Sequence, residues 1–351
     1  MLKKFGNGFT WNCGSGNLLI KMEIITDFNQ IDLNSLEEFI YNHPHGSFFQ
    51  STKAFKFFQS VDNYEPILLV AKKKDEIVGS LLAVVMKEKG LKGYFSRRCI
   101  VWGGPLVKDD HPEIVKAILQ KLNELISNKV IYTEIRNLFD MSRYKKFFAS
   151  ENFKFLEYLN FILNIENSEK AFNNIKREKR RQIRKALNNS VIFQIVKKVE
   201  DFEKLYLILQ RLYLEKVKKP FPSFNFFMRL FETDSVIVVG IYYNNILIGG
   251  SILPFYKETI YDWYRGGLDS EYKLYYPSSV AVWAGMKIGN QLGFKFFDFM
   301  GAGTPHQKYG VRDFKSQFGG IEVSYGRFLR INHPILYQIG KMGLKVLKVL
   351  K

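Results

Sequence analysis

A chain of 351 residues, 46% hydrophobic and 16% aromatic, holds enough core-forming material to exclude a disordered or low-complexity protein, and it exceeds one ordinary domain. Its 52 Lys and Arg against 34 Asp and Glu leave a net charge of +18, which points to an anionic partner: nucleic acid, anionic lipid or a phosphate-bearing substrate. Cys13 and Cys99 cannot build a disulfide framework or a four-cysteine metal site, so a reducing, cytoplasmic compartment is expected, and no stretch reaches the roughly 18 apolar residues of a membrane-spanning helix.

In chain order, residues 1–21 carry Gly6-Asn7-Gly8 and Cys13-Gly14-Ser15-Gly16 without the apolar run of a secretory leader, and read as a loose extension. Leu33 to Tyr41 and Lys53 to Ser60 have helical spacing. Pro66 to Lys72 and Ile77 to Val85 read as a hairpin, Tyr94 to Trp102 as a strand, Pro112 to Ile126 as a helix and Val130 to Ile135 as a strand. The same order returns after residue 234. Ser235 to Tyr243 and Ile246 to Phe255 form a hairpin around Asn244-Asn245, followed by strand Thr259 to Tyr264, helix Pro277 to Leu292 and strand Phe294 to Phe299. Gly249 stands in its hairpin as Gly79 does in the first. The matching order predicts a duplicated α/β unit of about 150 residues.

Between the halves, Ser168 to Leu187 predicts one helix, with seven basic residues from Lys176 to Lys185 against a single Glu. Such a density would hold phosphates; an isolated charge run is also what a solvated helix face looks like. Farther on, Asp298 ends an apolar strand, where a carboxylate must be paired or sit at a site. Gly301 and Gly303 let backbone or ligand come close. Lys315 lies between Phe314 and Phe318, which predicts an ammonium held in a partly apolar groove. The five histidines fit no metal-ligand spacing, and serine-hydrolase, Walker and dinucleotide motifs are missing, so the chemistry is expected to need neither metal nor triad. The segment Pro334 to Lys351 places Ile335, Ile339, Met342, Val346 and Val349 on one stripe and Lys341, Lys345 and Lys348 opposite. That pattern fits packing on its own domain or contact with an anionic inner-membrane surface.

The order of Ser47-Phe48-Phe49-Gln50-Ser51 with Gly104-Pro105, then Ile183-Arg184-Lys185-Ala186, then Tyr309, Phe314-Lys315 and Phe318-Gly319-Gly320 resembles the Fem-type (FemABX) aminoacyltransferases from about Met22 to Arg330. The resemblance implies an α/β fold of two tandem GNAT-like (acyl-CoA N-acyltransferase-like) domains, each a mixed, mainly antiparallel sheet flanked by helices. On that basis 22–166 is the first domain, 167–188 a basic connecting helix, 189–332 the second domain and 333–351 a C-terminal amphipathic helix. It further implies transfer of an amino acid from aminoacyl-tRNA to an amine of a pyrophosphate-linked peptidoglycan precursor, with no permanently bound cofactor.

The resemblance puts Lys315 at the family's functional lysine and Asp109 near its acidic residue after Gly-Pro. An amine attacking an activated carbonyl must lose a proton while the oxygen gains charge, so positioning and a cation at the oxyanion supply most of the catalysis. Lys315 is then expected to stabilise the oxyanion or leaving hydroxyl, and Asp298 or Asp313 to orient the amine or accept its proton. Arg181, Arg184 and Lys185 are expected to hold phosphates, with Gly301, Gly303, Tyr309 and Arg312 completing the substrate-binding set. Two other readings stand beside this one. A GNAT-type acyltransferase in cell-envelope, polysaccharide or lipid biosynthesis would use acyl-CoA, although Gly266 to Ser279 lacks the Gln/Arg-x-x-Gly-x-Gly/Ala loop that cradles its pyrophosphate. A non-catalytic RNA- or membrane-surface-binding protein would account for the charge alone.

Overall fold

The computed structural model describes residues 3–5, 8–10, 21–88, 90, 92–217 and 220–349. The chain divides into two units, one of residues 1–156 with 325–345 and the other of 157–324 with 346–351. The boundaries expected at 166 and 332 therefore move, because each unit completes its sheet with a strand that the chain order assigns to the other half. Asn160–Asn164 pairs with Phe296–Asp298 and Ile321–Val323 inside the second sheet, while Arg327–Ile331 pairs with Tyr132–Asn137 and Lys154–Leu156 inside the first.

In the first unit the described residues form a ten-stranded sheet around the hairpin Tyr64–Lys73 and Glu76–Met86. Its parallel pair joins Arg98–Gly103 to Tyr132–Asn137 over six residues on each strand. The strand expected from Tyr94 starts only at Arg98, since Lys92–Ser96 turns into a short helix; periodicity over so few residues cannot separate the two. Gly8–Thr10 pairs with Lys21–Ile25, and Lys3–Phe5 pairs in turn with Gly8–Thr10 at the sheet edge, so those parts of the expected loose extension are strands; Cys13 and the rest of 11–20 lie outside the described residues. The buried Gln50 side chain donates to the Gly104 carbonyl at 3.0 Å and accepts from Ser47 Oγ at 2.7 Å. The Ser47 to Ser51 stretch and the Gly104-Pro105 turn are thus parts of one packing unit.

The second unit repeats the plan with an eight-stranded sheet around Val236–Tyr243 and Ile246–Tyr256. The duplication reaches the register. Both hairpins slip by one residue at the same place, between Ala71 and Lys72 in one and between Ile241 and Tyr242 in the other. The paired glycines make room for different neighbours: a Cβ on Gly79 would meet the Ile114 side chain at 2.8 Å, and one on Gly249 would meet the backbone of Gly266 and Gly267, each at 2.8 Å. Gly79 lets the helix Pro112–Ile126 press against its hairpin, whereas in the second unit the helix Pro277–Gln291 presses against Gly267, where a Cβ would lie 2.8 Å from Pro277.

The expected connecting helix is two helices, Ser168–Asn174 and Arg177–Asn188, both belonging to the second unit. The break falls at Ile175, which is buried in the core, and Lys176, whose N–H donates to the Gln317 carbonyl at 2.8 Å. Ile183 and Ala186 anchor the basic helix in the same core as Val280, Ala284 and Phe297. No described helix is long and apolar enough to cross a membrane.

Candidate active site in the second unit

The two units differ where their parallel strands meet. In the second unit Thr259–Tyr261 pairs with Phe296–Asp298 for three residues and then the strands part. Asp262 N donates to the Asp298 carbonyl at 2.8 Å, after which Tyr264–Gly267 pairs with Gly249–Ile252 on one side. On the other side Phe299 N donates to the Phe161 carbonyl at 3.1 Å. The strand expected as Thr259 to Tyr264 is therefore split at Asp262 and Trp263. A gap beyond the carboxyl ends of diverging parallel strands is where open α/β sheets take ligands.

Charged side chains fill the start of that gap. Asp298, 3% exposed, accepts from Asn160 Nδ2 at 2.7 Å and from Met300 N at 2.6 Å. Asn160 Oδ1 in turn accepts from Gly301 N at 2.7 Å. These bonds fix a turn in which Met300, Gly301 and Gly303 have φ of 60°, 121° and 81°. The turn aims two carbonyls at one point. Lys315 Nζ donates to Phe299 O and Gly301 O, each at 2.7 Å, and Lys315 is 8% exposed. The lysine comes from the short helix Gly310–Lys315, and the ring of Phe299 lies 5.3 Å from its ammonium.

Beside it stands Asp262, 5% exposed, ion-paired through Oδ2 with Arg265. Asp262 Oδ1 is buried and has no hydrogen-bond partner among the described residues, which is costly unless a ligand supplies one. The guanidinium of Arg265 lies 5.4 Å from the Phe299 ring and 5.2 Å from the Phe314 ring, and Lys179 Nζ sits 4.8 Å from Phe314. Burial lowers the Lys315 ammonium pKa to about 8; Asp262 and Asp298 oppose that shift and Arg265 adds to it. Burial raises the Asp298 carboxyl, against the hydrogen bonds from Asn160 and Met300. The Tyr213 phenol is pushed up to about 12 by burial and by the nearby Tyr309 and Asp262.

Of the residues expected from sequence, the structure brings Lys315, Asp298 and Gly301 together and sets the Tyr309 ring against Gly303. Gly303 has a structural duty, since a Cβ there would lie 2.7 Å from the Tyr309 ring. Arg312 ties its own loop through the Thr304 and Gln307 carbonyls. Asp313 is exposed, and the second buried carboxylate of the cluster is Asp262 instead. Arg181, Arg184 and Lys185 are exposed on the basic helix, with Arg181 paired to Glu178 at 3.0 Å and Arg184 lying 5.1 Å from the Phe172 ring. The cation of that helix in contact with Phe314 is Lys179, which also donates to Ser279 Oγ at 3.1 Å. Asp109 belongs to the first unit, exposed in a turn with φ of 52°. Sequence reasoning missed Asp262, Arg265, Asn160 and Lys179. The one available signal was Asp262 and Arg265 interrupting a strand pattern.

A family model described as an acetyltransferase (GNAT) domain matches residues 173–315, spanning the diverging strands, the basic helix and Lys315. The second unit carries a GNAT acyltransferase domain. Among solved structures, the chain is similar to the crystal structure of FemX, with a TM-score of 0.68 and 16% identity over 90% of this chain and 99% of that one. It is also similar to a tandem GNAT protein from the clavulanic acid biosynthesis pathway, with a TM-score of 0.56 and 8% identity over 89% and 98% of the two chains. L-PGS from Bacillus licheniformis gives a TM-score of 0.54 and 13% identity over 88% and 96%. These likenesses bear out the two-domain GNAT fold. No curated protein sequence matches the chain.

Asp269 distinguishes the start of the GNAT helix Pro277–Gln291. Ser278 N donates to Asp269 Oδ1 at 3.2 Å, and Ser278 Oγ donates to Oδ2 of the same carboxylate. A negative side chain therefore occupies a helix N-terminus that could otherwise receive an anion.

Proposed function

We propose that the chain is an aminoacyltransferase that moves an amino acid from aminoacyl-tRNA to an amine of a cell-envelope precursor, a peptidoglycan intermediate on a pyrophosphate carrier. The observation that carries the reading is a buried ammonium, Lys315, in the same cluster as a buried carboxylate oxygen, Asp262 Oδ1, that has no hydrogen-bond partner among the described residues, where two parallel strands diverge. Asp262 accepts a hydrogen bond from the incoming amine and takes its surplus proton as the new C–N bond forms. Lys315 faces the oxygen that gains charge and gives a proton to the ribose hydroxyl as the ester C–O bond breaks; solvent then returns a proton from Asp262 to Lys315. Asp298, held by Asn160 and Met300, positions the turn that orients Lys315. Lys179, Arg181, Arg184 and Lys185 offer phosphate contacts.

Three features support tRNA over acyl-CoA. Asp269 occupies the helix start where a GNAT domain would seat a coenzyme pyrophosphate. The net charge of +18 suits a polyanionic donor. The likeness to FemX agrees with the FemABX-type resemblance of the sequence motifs.

The test is incubation of the purified chain with labelled aminoacyl-tRNAs, labelled acyl-CoAs and lipid-linked murein precursor. Label should pass from aminoacyl-tRNA to the precursor amine, and Asp262→Asn should reduce the rate at least a hundredfold. Transfer from acyl-CoA alone would overturn the donor assignment, and full activity of Asp262→Asn would overturn its role. The pH profile gives a second check. If the charged form of Lys315 acts, activity should fall as pH rises through about 8.

A further inference from the structure

The helix Pro334–Val349 follows the strand Arg327–Ile331 and begins where His333 N donates to the Ile131 carbonyl at 3.1 Å. It rests on the first unit along a narrow line. Leu336, Tyr337 and Gly340 are half-buried, the Tyr337 ring meets Tyr132 edge-on at 5.4 Å, and Gly340 lies close to the Phe95 carbonyl. The strongest apolar stripe points elsewhere. Ile335, Ile339 and Met342, spaced i, i+4 and i+7, are 77%, 42% and 58% exposed, and Phe95 is exposed as well. A helix that packed by its most apolar side would bury these residues and leave the other line in water.

Charge decides the occupant of this stripe. Residues 334–351 contain Lys341, Lys345, Lys348 and Lys351 and no Asp or Glu. A second copy of the helix would set four lysines against four with no acid to offset them. A nucleic acid would satisfy the lysines but leave three large apolar side chains in water. An anionic bilayer surface satisfies both, with the stripe in the acyl boundary and the ammonium groups among the phosphates. We propose that Pro334–Val349 docks the chain on an anionic lipid surface through Ile335, Ile339 and Met342 and the surrounding lysines. This does not depend on which group the enzyme transfers.

Co-sedimentation of the full chain with phosphatidylcholine vesicles, with and without phosphatidylglycerol, tests it. The wild type should bind the phosphatidylglycerol vesicles and leave the neutral ones largely unbound. Replacing Ile335, Ile339 and Met342 with Glu should weaken binding tenfold or more per position. Replacing Lys341, Lys345 and Lys348 with Gln should weaken it roughly fivefold each and about a hundredfold together. Both sets should keep the wild-type Tm, because Leu336, Tyr337 and Gly340, which rest against the unit, are unchanged. Failure of the wild type to bind the anionic vesicles, or equal binding by either variant set, would overturn the proposal. So would a wild-type dimer that the Glu substitutions dissociate. Because partition and not transfer is measured, such a failure would leave the catalytic reading intact.

Discussion

Lys315 is a cation held where its charge is penalised, and the penalty is measurable. Its ordinary pKa of 10.5 falls to about 8 in the folded chain, so between those values the unfolded chain binds more protons than the native one. Stability attributable to this residue therefore rises with pH across that window, the reverse of a lysine that gains an ion pair. Relative to Lys315→Met, the wild type should gain up to about 3 kcal/mol between pH 8 and pH 10.5, read as the difference in chemical-denaturation midpoints. At neutral pH Lys315→Met should nearly abolish transfer while preserving the circular dichroism spectrum of the folded chain. The sequence marked Lys315 because it stands between two phenylalanines, and Asp298 because a carboxylate ends an apolar strand. It could not mark Asp262 as the second carboxylate of the cluster, because its place beside Lys315 depends on where two strands separate. Asn160 was out of reach for a related reason: it lies 138 positions from the carboxylate it holds.

Helix Arg177–Asn188 shows how one element serves two ends. Its periodicity sends Ile183 and Ala186 into the second unit's core and leaves Arg181, Arg184 and Lys185 exposed. The two faces should separate experimentally. Ile183→Ala should cost about 2–4 kcal/mol in urea denaturation. Alanine at Arg181, Arg184 and Lys185 should leave stability within about 0.5 kcal/mol and, on the proposed aminoacyl-tRNA function, weaken tRNA binding instead, with a shallower dependence on salt. Most elements of both hairpins, and the helix Pro112–Ile126, were legible from alternation and helical spacing. Short elements were not: Lys92–Ser96 became helix, and the basic segment broke at Ile175 and Lys176 because a tertiary carbonyl, Gln317 O, captured a backbone N–H there.

On the scale of the molecule, each unit depends on a strand contributed from across the sequence boundary. Arg327–Ile331 lies between two strands of the first unit, where Phe328 stacks on Phe148 at 3.7 Å and Arg327 pairs with Glu134 at 2.8 Å. Against the effect of burial, Arg136 and Arg327 hold the Glu134 carboxyl down at about 2. Its stabilisation is present above its ordinary pKa of 4.5 and is lost as pH falls toward 2. Glu134→Gln should flatten that acid limb in thermal melts. Ending the chain at Ser324 should unfold the first unit, visible as the loss of one transition in calorimetry, since an interior strand would be missing. The duplicated α/β plan was written in the sequence, because hairpin alternation, helix period and the recurring glycines Gly79 and Gly249 are local signals repeated in order; its GNAT character came from the motifs that resemble the FemABX-type family. The exchange of strands and the opening of one parallel pair but not the other were decided by tertiary structure. Both depend on which distant backbone groups find each other, and that opening is what brings Asp262, Asp298 and Lys315 into one buried cluster.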